Sequence, residues 1–284
     1  MKTNKDAALK ALESHNDIFA DICNVLIYDG KQIIKPDDLE DASTDSYYKA
    51  DAKVRSQKRD VAKYWKTGNT LIKIARFGIE NQSQTDPDMP FRIIGYDGAS
   101  YRNQIDYDQP RYPVVTIVIY TGDQEWKSPC SLYEALSPDE EMKRFVSDYK
   151  INLFQLSQVT AQQVEKFQSV FQNLADYMYH KTNNLDYHGS TKPLTHTEEF
   201  ITAMEEITGD KRIGAVYNEI KDEDNKEVNM CTLLDRVEER RSIANAKTML
   251  EDGKLSIEDI AKYSGLPLEK IKELAAEVCV GVTK

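Results

Sequence analysis

The chain has 284 residues, of which 40% are hydrophobic and 30% charged, and its formal net charge is −11. This composition fits a globular protein with a hydrophobic core, and no run of residues reaches the ~18 apolar positions that a membrane span needs. The first residues are charged and amphipathic, unlike a secretory signal, and the four cysteines lie far apart without a CxxC pair. We therefore expect a cytoplasmic protein with buried reduced thiols and no zinc site.

The first 58 residues predict one helix, one strand and a long connection. Apolar residues recur at roughly helical spacing over residues 6–28, and Asp-Gly follows. A short strand is expected at 31–35. The polar stretch 36–58 is acidic and then basic. Because loops of this length are usually functional or poorly ordered, it is a segment of interest.

The middle of the chain predicts a mixed sheet. Residues 59–82 predict a β-hairpin, since apolar residues alternate on both sides of the turn sequence TGNT. A helix of about four turns is predicted over 89–105. The β-branched segment 112–122, bounded by Pro and Gly, is typical of a buried strand. A strand, a helix and a buried strand indicate a right-handed crossover between parallel strands, and a further strand is expected at 150–159.

From Thr160 onward the pattern is helical. One helix is predicted over residues 160–182, followed by a polar break at 183–193 and three or four more helices. Residues 249–278 predict a helix, a glycine, a second helix, the sequence Gly-Leu-Pro and a third helix, with SIED and PLEK as plausible helix starts.

A basic segment interrupts this acidic chain. Between Lys49 and Arg76 there are nine basic and two acidic residues, a local charge of +7, which leaves −18 on the remainder. Such a segment is where a polyanion could dock. The alternative is a solvated hairpin whose lysines protect a sheet edge. The candidate contacts to nucleic acid are Lys53, Arg55, Lys58, Arg59, Lys63 and Arg76.

Three polar residues flank the predicted hairpin: Asp60 near its start, and Glu80 and Gln82 at its end. Residues two apart on a strand share a face, so Glu80 and Gln82 look the same way. Two carboxylates side by side suit Mg²⁺ or Mn²⁺, which take oxygen ligands. Such an ion could acidify a water and neutralise charge on a phosphoryl group. The alternative is chance, since one Asp and one Glu twenty residues apart is a common pattern.

The hairpin register tests the metal hypothesis. With a two-residue loop, Asp60 faces Phe77 and points away from Glu80. With a three-residue loop, Asp60 faces Gly78, and Glu80 is its diagonal neighbour on the same face, about 7–8 Å away. A one-residue bulge has the same effect. The hypothesis therefore predicts an odd-length loop or a bulge between Val61 and Ile79.

Several segments together resemble one known family. QKRDVAKYW, FGIENQSQTDPDMPFRIIGYDG, RYPVVTIVIY, SLYEAL, DYKINLFQLS and NMCTLLDRVEER are similar to the Rpn group of recombination-promoting nucleases, also described as YhgA-like transposases. The group belongs to the PD-(D/E)XK nuclease superfamily. The similarity covers most of residues 10–245. It rests on Asp60, on Glu80-x-Gln82 and on the Asp-Pro-Asp-Met-Pro turn into a helix.

The resemblance implies a metal-dependent endonuclease acting on DNA. Asp60 and Glu80 would hold Mg²⁺, or Mn²⁺, with the Asn81 carbonyl as third ligand. Gln82 stands where many members of the superfamily have a lysine that orients the attacking water. Glutamine can position a water but cannot act as a base or carry charge, so slow catalysis is expected. Lys63 or Arg76 could supply the missing charge.

The N-terminal helix departs from the family pattern. The family shows a His-Asp pair followed by Phe and Lys, whereas this chain has Asn16 in place of the Asp and Ala20 in place of the Lys. Asp17 or Asp21 could serve as the acid of the first helix, and the sequence does not choose between them. For His15 we favour a surface histidine without a functional role.

The patterns predict an α/β protein with a mixed sheet flanked by helices over residues 1–182, and the resemblance implies that this core is of the PD-(D/E)XK restriction-endonuclease-like type. Residues 183–284 form a helical region ending in a helix-turn-helix-like segment. Because that segment is acidic overall, we favour packing or self-association there over DNA reading, and a homodimer is left open. The rival hypothesis is a catalytically degenerate nuclease fold that binds DNA or a protein, motivated by Asn16, Ala20 and the net acidity.

Overall fold

A computed structural model describes residues 4–50, 53–58, 60–67, 70–79, 85–106, 110–221 and 227–281. Only the backbone is described for residue 4 and for residues 45–50, 53–58, 67, 70–79 and 279–281. The chain divides into two compact units. The first comprises residues 1–187 and 195–209, and the second comprises residues 188–194 and 210–284.

The first unit contains the strands of a mixed sheet. The strands are β1 (Leu39–Asp41), β2 (Asp45–Ala50), β3 (Lys53–Lys58), β4 (Val61–Thr67), β5 (Thr70–Ile79), β6 (Val114–Tyr120) and β7 (Asn152–Gln155). Five of them form one sheet in the order β1-β4-β5-β6-β7, and β2 and β3 form a separate antiparallel pair. The pairs β1/β4 and β4/β5 are antiparallel, whereas β5/β6 and β6/β7 are parallel.

The helices of the first unit are α1 (Asn4–Glu13), α2 (Asn16–Tyr28), α3 (Met89–Asp106), α4 (Leu132–Leu136), α5 (Ala161–Lys166), α6 (Phe171–Thr182) and α7 (Thr197–Thr208). Helix α3 connects β5 to its parallel neighbour β6, as the sequence predicts. Its buried residues Met89, Ile93 and Tyr96 pack in one cluster with Val118 and Tyr120 of β6. The central crossover therefore encloses part of the hydrophobic core.

The second unit contains α8 (Arg212–Ile220), α9 (Met230–Asp252), α10 (Ile257–Ser264) and α11 (Leu268–Gly281). The three helices that the sequence predicts over residues 249–278 are confirmed, and the first of them is the end of α9, which has 23 residues. Ser256 caps α10, since its side chain accepts a hydrogen bond from the backbone N–H of Asp259. Ala246, Ile260, Ile271 and Leu274 form a small core between α9, α10 and α11.

Two of the predicted helices are interrupted. The helix expected at 6–28 is two helices, α1 and α2, separated at Ser14 and His15. The helix expected at 160–182 is likewise divided into α5 and α6, which are separated by residues 167–170. Both helical segments are confirmed, but their continuity is wrong.

The strand predicted at 31–35 is also wrong, because the buried side chain of Asn24 binds this segment. The Asn24 carbonyl accepts hydrogen bonds from the backbone N–H groups of Ile33 and Ile34 at 3.1 and 2.8 Å, and its amide donates to the Ile34 carbonyl at 2.9 Å. One side chain thus takes the place of a neighbouring strand. The long connection at 36–58 in turn contains β1, β2 and β3.

Candidate functional site

One edge of the five-stranded sheet carries the candidate site. Strand β4 begins at Val61 and its antiparallel neighbour β5 ends at Ile79, so the start of one and the end of the other lie at the same edge. Strand β6 is parallel to β5 and ends there too, with Tyr120 paired to Ile79. Asp60 directly precedes β4 and is buried. The topology therefore brings Asp60 and the end of β5 to one edge.

The register of the hairpin differs from the one that the metal hypothesis predicts. The Cα pairs run without interruption from Val61 opposite Arg76 to Thr67 opposite Thr70. The expectation of an odd-length loop, or of a bulge within this paired stretch, is therefore wrong. Counting on by one pair places Asp60 opposite Phe77. However, Asp60 lies in a bend outside β4, so strand alternation does not fix the direction of its side chain.

Glu80, Asn81 and Gln82 lie outside the described residues, so their roles as metal ligands and water-orienting residue stay predictions. Within the described part of the chain, no group of three or more His, Cys, Asp or Glu side chains could hold a metal ion. A metal centre at this edge therefore depends on the residues that follow Ile79.

The turn after these residues is fixed to the start of α3. The Asp86 carboxylate accepts a hydrogen bond from the backbone N–H of Asp88 at 2.9 Å and forms an ion pair with Arg92 at 2.5 Å. Thr85 and Ser128 share a hydrogen bond between their hydroxyl groups. The segment that leaves the candidate site is therefore anchored on both α3 and the loop after β6.

Asp21, one of the two candidate acids of the first helix, has a structural role. Its carboxylate accepts hydrogen bonds from the backbone N–H groups of Gln168, at 2.9 and 3.0 Å, and of Ser169, at 2.7 Å. The side chain is buried, and desolvation raises its pKa in spite of these hydrogen bonds, which lower it. Asp21 thus holds the turn between α5 and α6 rather than presenting an open ligand.

Asp17, the other candidate, lies in a cluster with two histidines. The Nε2 atom of His196 is 2.9 and 3.0 Å from the two carboxylate oxygens of Asp17. The His196 ring stacks on His15 with 3.7 Å between ring centroids, and Nε2 of His15 is 3.6 Å from a carboxylate oxygen of Glu199. His15 therefore joins the start of α2 to α7, a role that no sequence pattern indicated.

The departure at Asn16 has a structural explanation. Its amide group donates hydrogen bonds to the backbone carbonyls of Pro36 and Leu39, both at 3.1 Å. An aspartate has no N–H to donate and would repel both carbonyl oxygens. In this chain Asn16 ties the start of α2 to the entry of β1.

One known family matches this chain. Residues 31–207, more than half of the chain, match the family model described as "Putative transposase, YhgA-like". The chain belongs to this family. The match confirms the resemblance seen in the sequence, and it spans β1 to α7 and so includes the candidate edge. No protein in the curated collection and no solved structure matches the chain.

The basic segment of this YhgA-like chain is partly neutralised by β1. Lys63, opposite Asp41 in the β1/β4 register, is buried, and its ammonium lies 2.6 Å from the Asp41 carboxylate. Lys66 pairs with Glu40 at 2.6 Å. Lys63 is therefore not available to a DNA phosphate or as a spare charge at the candidate site, contrary to the sequence prediction.

The other candidate contacts to DNA stay predictions. Lys53, Arg55 and Lys58 lie on β3 and Arg76 on β5, where only the backbone is described, and Arg59 lies outside the described residues. Among the described residues, no helix is long and apolar enough to cross a membrane.

A row of buried polar residues on α3 escaped the sequence analysis. Asp97 accepts hydrogen bonds from the hydroxyl groups of Thr116, at 2.5 Å, and Tyr149. Gln104 bonds to both the N–H and the carbonyl of Tyr112 at 3.0 Å. Asp97 and Gln104 lie one and about three turns beyond the buried Ile93, and so on the same face of the helix. Polar residues at these positions were the sequence signal that could have revealed the row.

The cysteines are only partly as expected. Cys23 is buried, and desolvation raises the pKa of its thiol. Cys130 and Cys231 are half-buried rather than buried, and all three thiols are free. The prediction of full burial is wrong for two of these three, and their reduced state stays a prediction.

Proposed function

We propose that this YhgA-like protein is a metal-dependent endonuclease that hydrolyses phosphodiester bonds in DNA, on a core of the PD-(D/E)XK type. The supporting observation is the shared edge of the sheet, where Asp60 precedes β4 and Glu80 follows the last residue of β5. Family membership and the mixed sheet flanked by helices support the same proposal. Residues 1–182 would form the nuclease core, and residues 183–284 would pack or self-associate.

The donor atoms at this edge fit a hard divalent cation. Asp60 and Glu80 offer carboxylate oxygens and Asn81 a backbone carbonyl, the ligand types that Mg²⁺ and Mn²⁺ prefer. Since Asp60 is buried at the end of a strand, a carboxylate there has a low-dielectric surrounding in which attraction to a cation is strong. When bound, the ion would lower the pKa of a water and neutralise charge on the phosphate.

The remaining work falls to side chains of this chain. Gln82 would hold the attacking water through its carbonyl oxygen and cannot take its proton. Because glutamine contributes orientation without charge or basicity, we expect slow turnover. Lys53, Arg55, Lys58, Arg59 and Arg76 would contact the DNA backbone, which places the sequence-independent part of the affinity on the basic segment.

Plasmid nicking in the presence of Mg²⁺ or Mn²⁺ tests this proposal. We expect the wild type to nick plasmid DNA and EDTA to abolish this activity. Asp60→Asn and Glu80→Gln should each reduce the nicking rate at least 100-fold. The control is Asp88→Asn, which changes an exposed carboxylate in the same region and should nick like the wild type. Nicking that persists in both site variants would overturn the proposal. Circular dichroism of each variant separates lost chemistry from lost folding.

A second function, binding without catalysis, is favoured by the first helix. Asn16, Asp17 and Asp21 all have partners within the chain, so the acid that the family pattern places there has no open counterpart among them. Titration calorimetry with Mn²⁺ distinguishes the two functions. A nuclease should bind Mn²⁺ in an Asp60-dependent way, whereas a degenerate fold should bind DNA with neither Mn²⁺ binding nor cleavage.

A further inference from the structure

Helix α3 carries an exposed apolar stripe. Phe91, Ile94, Tyr101 and Ile105 are between 38% and 63% exposed and lie outside the buried cluster that packs on β6, and the Tyr101 hydroxyl accepts a hydrogen bond from the backbone N–H of Val114. With Gly98 they follow the spacing 3, 4, 3, 4, which is that of a seam between two packed helices. Single exposed apolar residues are ordinary, but a stripe of four along one helix marks an interaction surface.

The stripe is nearly the same when read in either direction from its centre. Counted from Gly98, Phe91 and Ile105 lie seven residues away on either side, and Ile94 and Tyr101 lie four and three residues away. If two copies of α3 cross antiparallel at Gly98, Phe91 of each copy comes level with Ile105 of the other. Ile94 comes level with Arg102, one residue from Tyr101. Such self-complementarity is what a two-fold interface between identical chains requires.

Gly98 has no evident reason inside its own chain. A Cβ atom added there would meet nothing within 4 Å, and its backbone does not have the positive φ that favours glycine. Glycine in a helix interior is destabilising relative to alanine. A second helix that crosses at this point would explain the residue, because a missing side chain lets two helix backbones approach closely.

A pocket lies at one end of the stripe. It has a volume of about 420 Å³ and is lined by Tyr101, Gln104, Ile105, Arg111, Tyr112 and Pro113. In the antiparallel crossing, Phe91 of the second copy arrives at the level of Ile105, beside this pocket. Each chain thus offers a phenyl ring at one end of α3 and an open, largely apolar pocket at the other.

We propose that α3 is a dimerisation surface whose partner is a second copy of this chain, packed antiparallel about a two-fold axis at Gly98. The stripe from Phe91 to Ile105 is about 21 Å long. On a helix about 10 Å wide, such a stripe covers less than the roughly 800 Å² per partner of a standard interface, so the dimer is a weak one. A dimer that dissociates in the micromolar range is therefore expected.

Sedimentation velocity of the full chain between about 1 and 100 µM tests this surface. The wild type should change from monomer to dimer across that range. Gly98→Leu and Ile105→Glu should each weaken the dimer at least tenfold, since the first blocks the crossing and the second places a charge in the seam. The control is Phe145→Glu, which changes a residue that is 82% exposed elsewhere in the unit and should dimerise like the wild type.

Cross-linking tests the position of the axis. Because residue 98 of one copy would meet residue 98 of the other, Gly98→Cys should form a disulfide-linked dimer under mild oxidation, and neither Phe145→Cys nor the wild type should do so. A wild type that remains monomeric at 100 µM overturns the proposal. A dimer that survives Gly98→Leu and Ile105→Glu, or Gly98→Cys that gives no more cross-linking than Phe145→Cys, overturns it as well.

Discussion

The carboxylate of Asp21, in helix α2, accepts a hydrogen bond from the backbone N–H of Ser169, 148 residues later in the chain. The same carboxylate binds the N–H of Gln168, so one buried side chain closes the turn between α5 and α6. Helix α2 and the α5–α6 pair are therefore joined by an acid that the sequence marks only as a candidate ligand.

Replacement of Asp21 should lower the stability of the folded protein without changing metal binding or DNA cleavage directly. Asp21→Ala leaves two backbone donors without their acceptor, and we expect a loss of about 2–4 kcal/mol in the free energy of unfolding. Asp21→Asn keeps one carbonyl acceptor and should lose about half as much. Urea denaturation measures both. Full stability of Asp21→Ala together with lost Mn²⁺ binding would instead identify Asp21 as a ligand.

The pH dependence of this contribution has a definite sign. Burial raises the pKa of Asp21 above its ordinary value of 3.8, so the folded state binds the proton more tightly than the unfolded state. The corresponding contribution to stability is full below pH 3.8 and is lost as the pH rises through the folded pKa. The stability advantage of the wild type over Asp21→Asn should therefore be smaller at pH 7 than at about pH 4, as urea titrations at several pH values can measure.

Neutralising Lys63 and neutralising Asp41 should change the free energy of unfolding by different amounts. Lys63→Met removes a buried cation and keeps its apolar stem, so we expect a change of less than about 1.5 kcal/mol. Asp41→Asn leaves the buried ammonium without its carboxylate and should cost about 2 kcal/mol, although the 89% exposure of the Asp41 side chain limits the effect. Equal losses in chemical denaturation would contradict this.

The same Lys63→Met protein also tests the DNA surface. The slope of log K for DNA binding against log salt should stay that of the wild type, whereas loss of one phosphate contact reduces it by about 0.9. Lys58→Ala, in the predicted basic surface, is the matched variant in which the reduction is expected. A reduced slope for Lys63→Met would show that Lys63 does contact a DNA phosphate.

Among the polar residues of α3, Gln104 should be one of those whose replacement destabilises the fold most. It bonds both backbone groups of Tyr112, and the side chain is buried. Gln104→Leu should lower the free energy of unfolding by about 2–4 kcal/mol, because the N–H and carbonyl of Tyr112 lose their partner. The neighbouring half-exposed Asn103 provides the control, and Asn103→Leu should cost less than about 0.5 kcal/mol. Measurements at about 1 µM protein avoid any effect of association.

Local sequence patterns predicted the elements that depend on neighbouring residues. The antiparallel strands on either side of TGNT, the helix that begins at Met89 and the parallel strand that begins at Val114 are all present. Their signals act within a few residues: a turn, a proline at a helix start and a run of β-branched side chains. The family resemblance, which rests on several such segments, is confirmed for the same reason.

The errors arose where a distant side chain replaces a local partner. Asn24 satisfies the backbone of Ile33 and Ile34, which removes the need for a strand there. Asp21 supplies an acceptor at Ser169 and so ends the helical run that periodicity extends to 182. Neither residue differs in the sequence from an ordinary helix-surface Asn or Asp, because their roles exist only once the chain is folded.

The sequence predicted which part of the sheet holds the candidate site, but it did not predict the register of the hairpin. Two carboxylates at the ends of one hairpin predicted a common edge, and the antiparallel pairing places Asp60 and the end of β5 there. Pairing of Thr67 with Thr70 was one of two registers that the loop allowed. The choice between the two registers depends on the packing of the whole sheet. No single residue of TGNT determines that packing.

The contacts of α2 also bear on the synthesis of the protein. Asp21 and Asp17 meet their partners 148 and 179 residues downstream. At translation rates of about 5–20 residues per second, those partners leave the ribosome roughly 7 to 36 s after α2. Throughout that interval the carboxylates of Asp17 and Asp21 stay hydrated, so α2 gains its fixed place against α6 and α7 only late in synthesis.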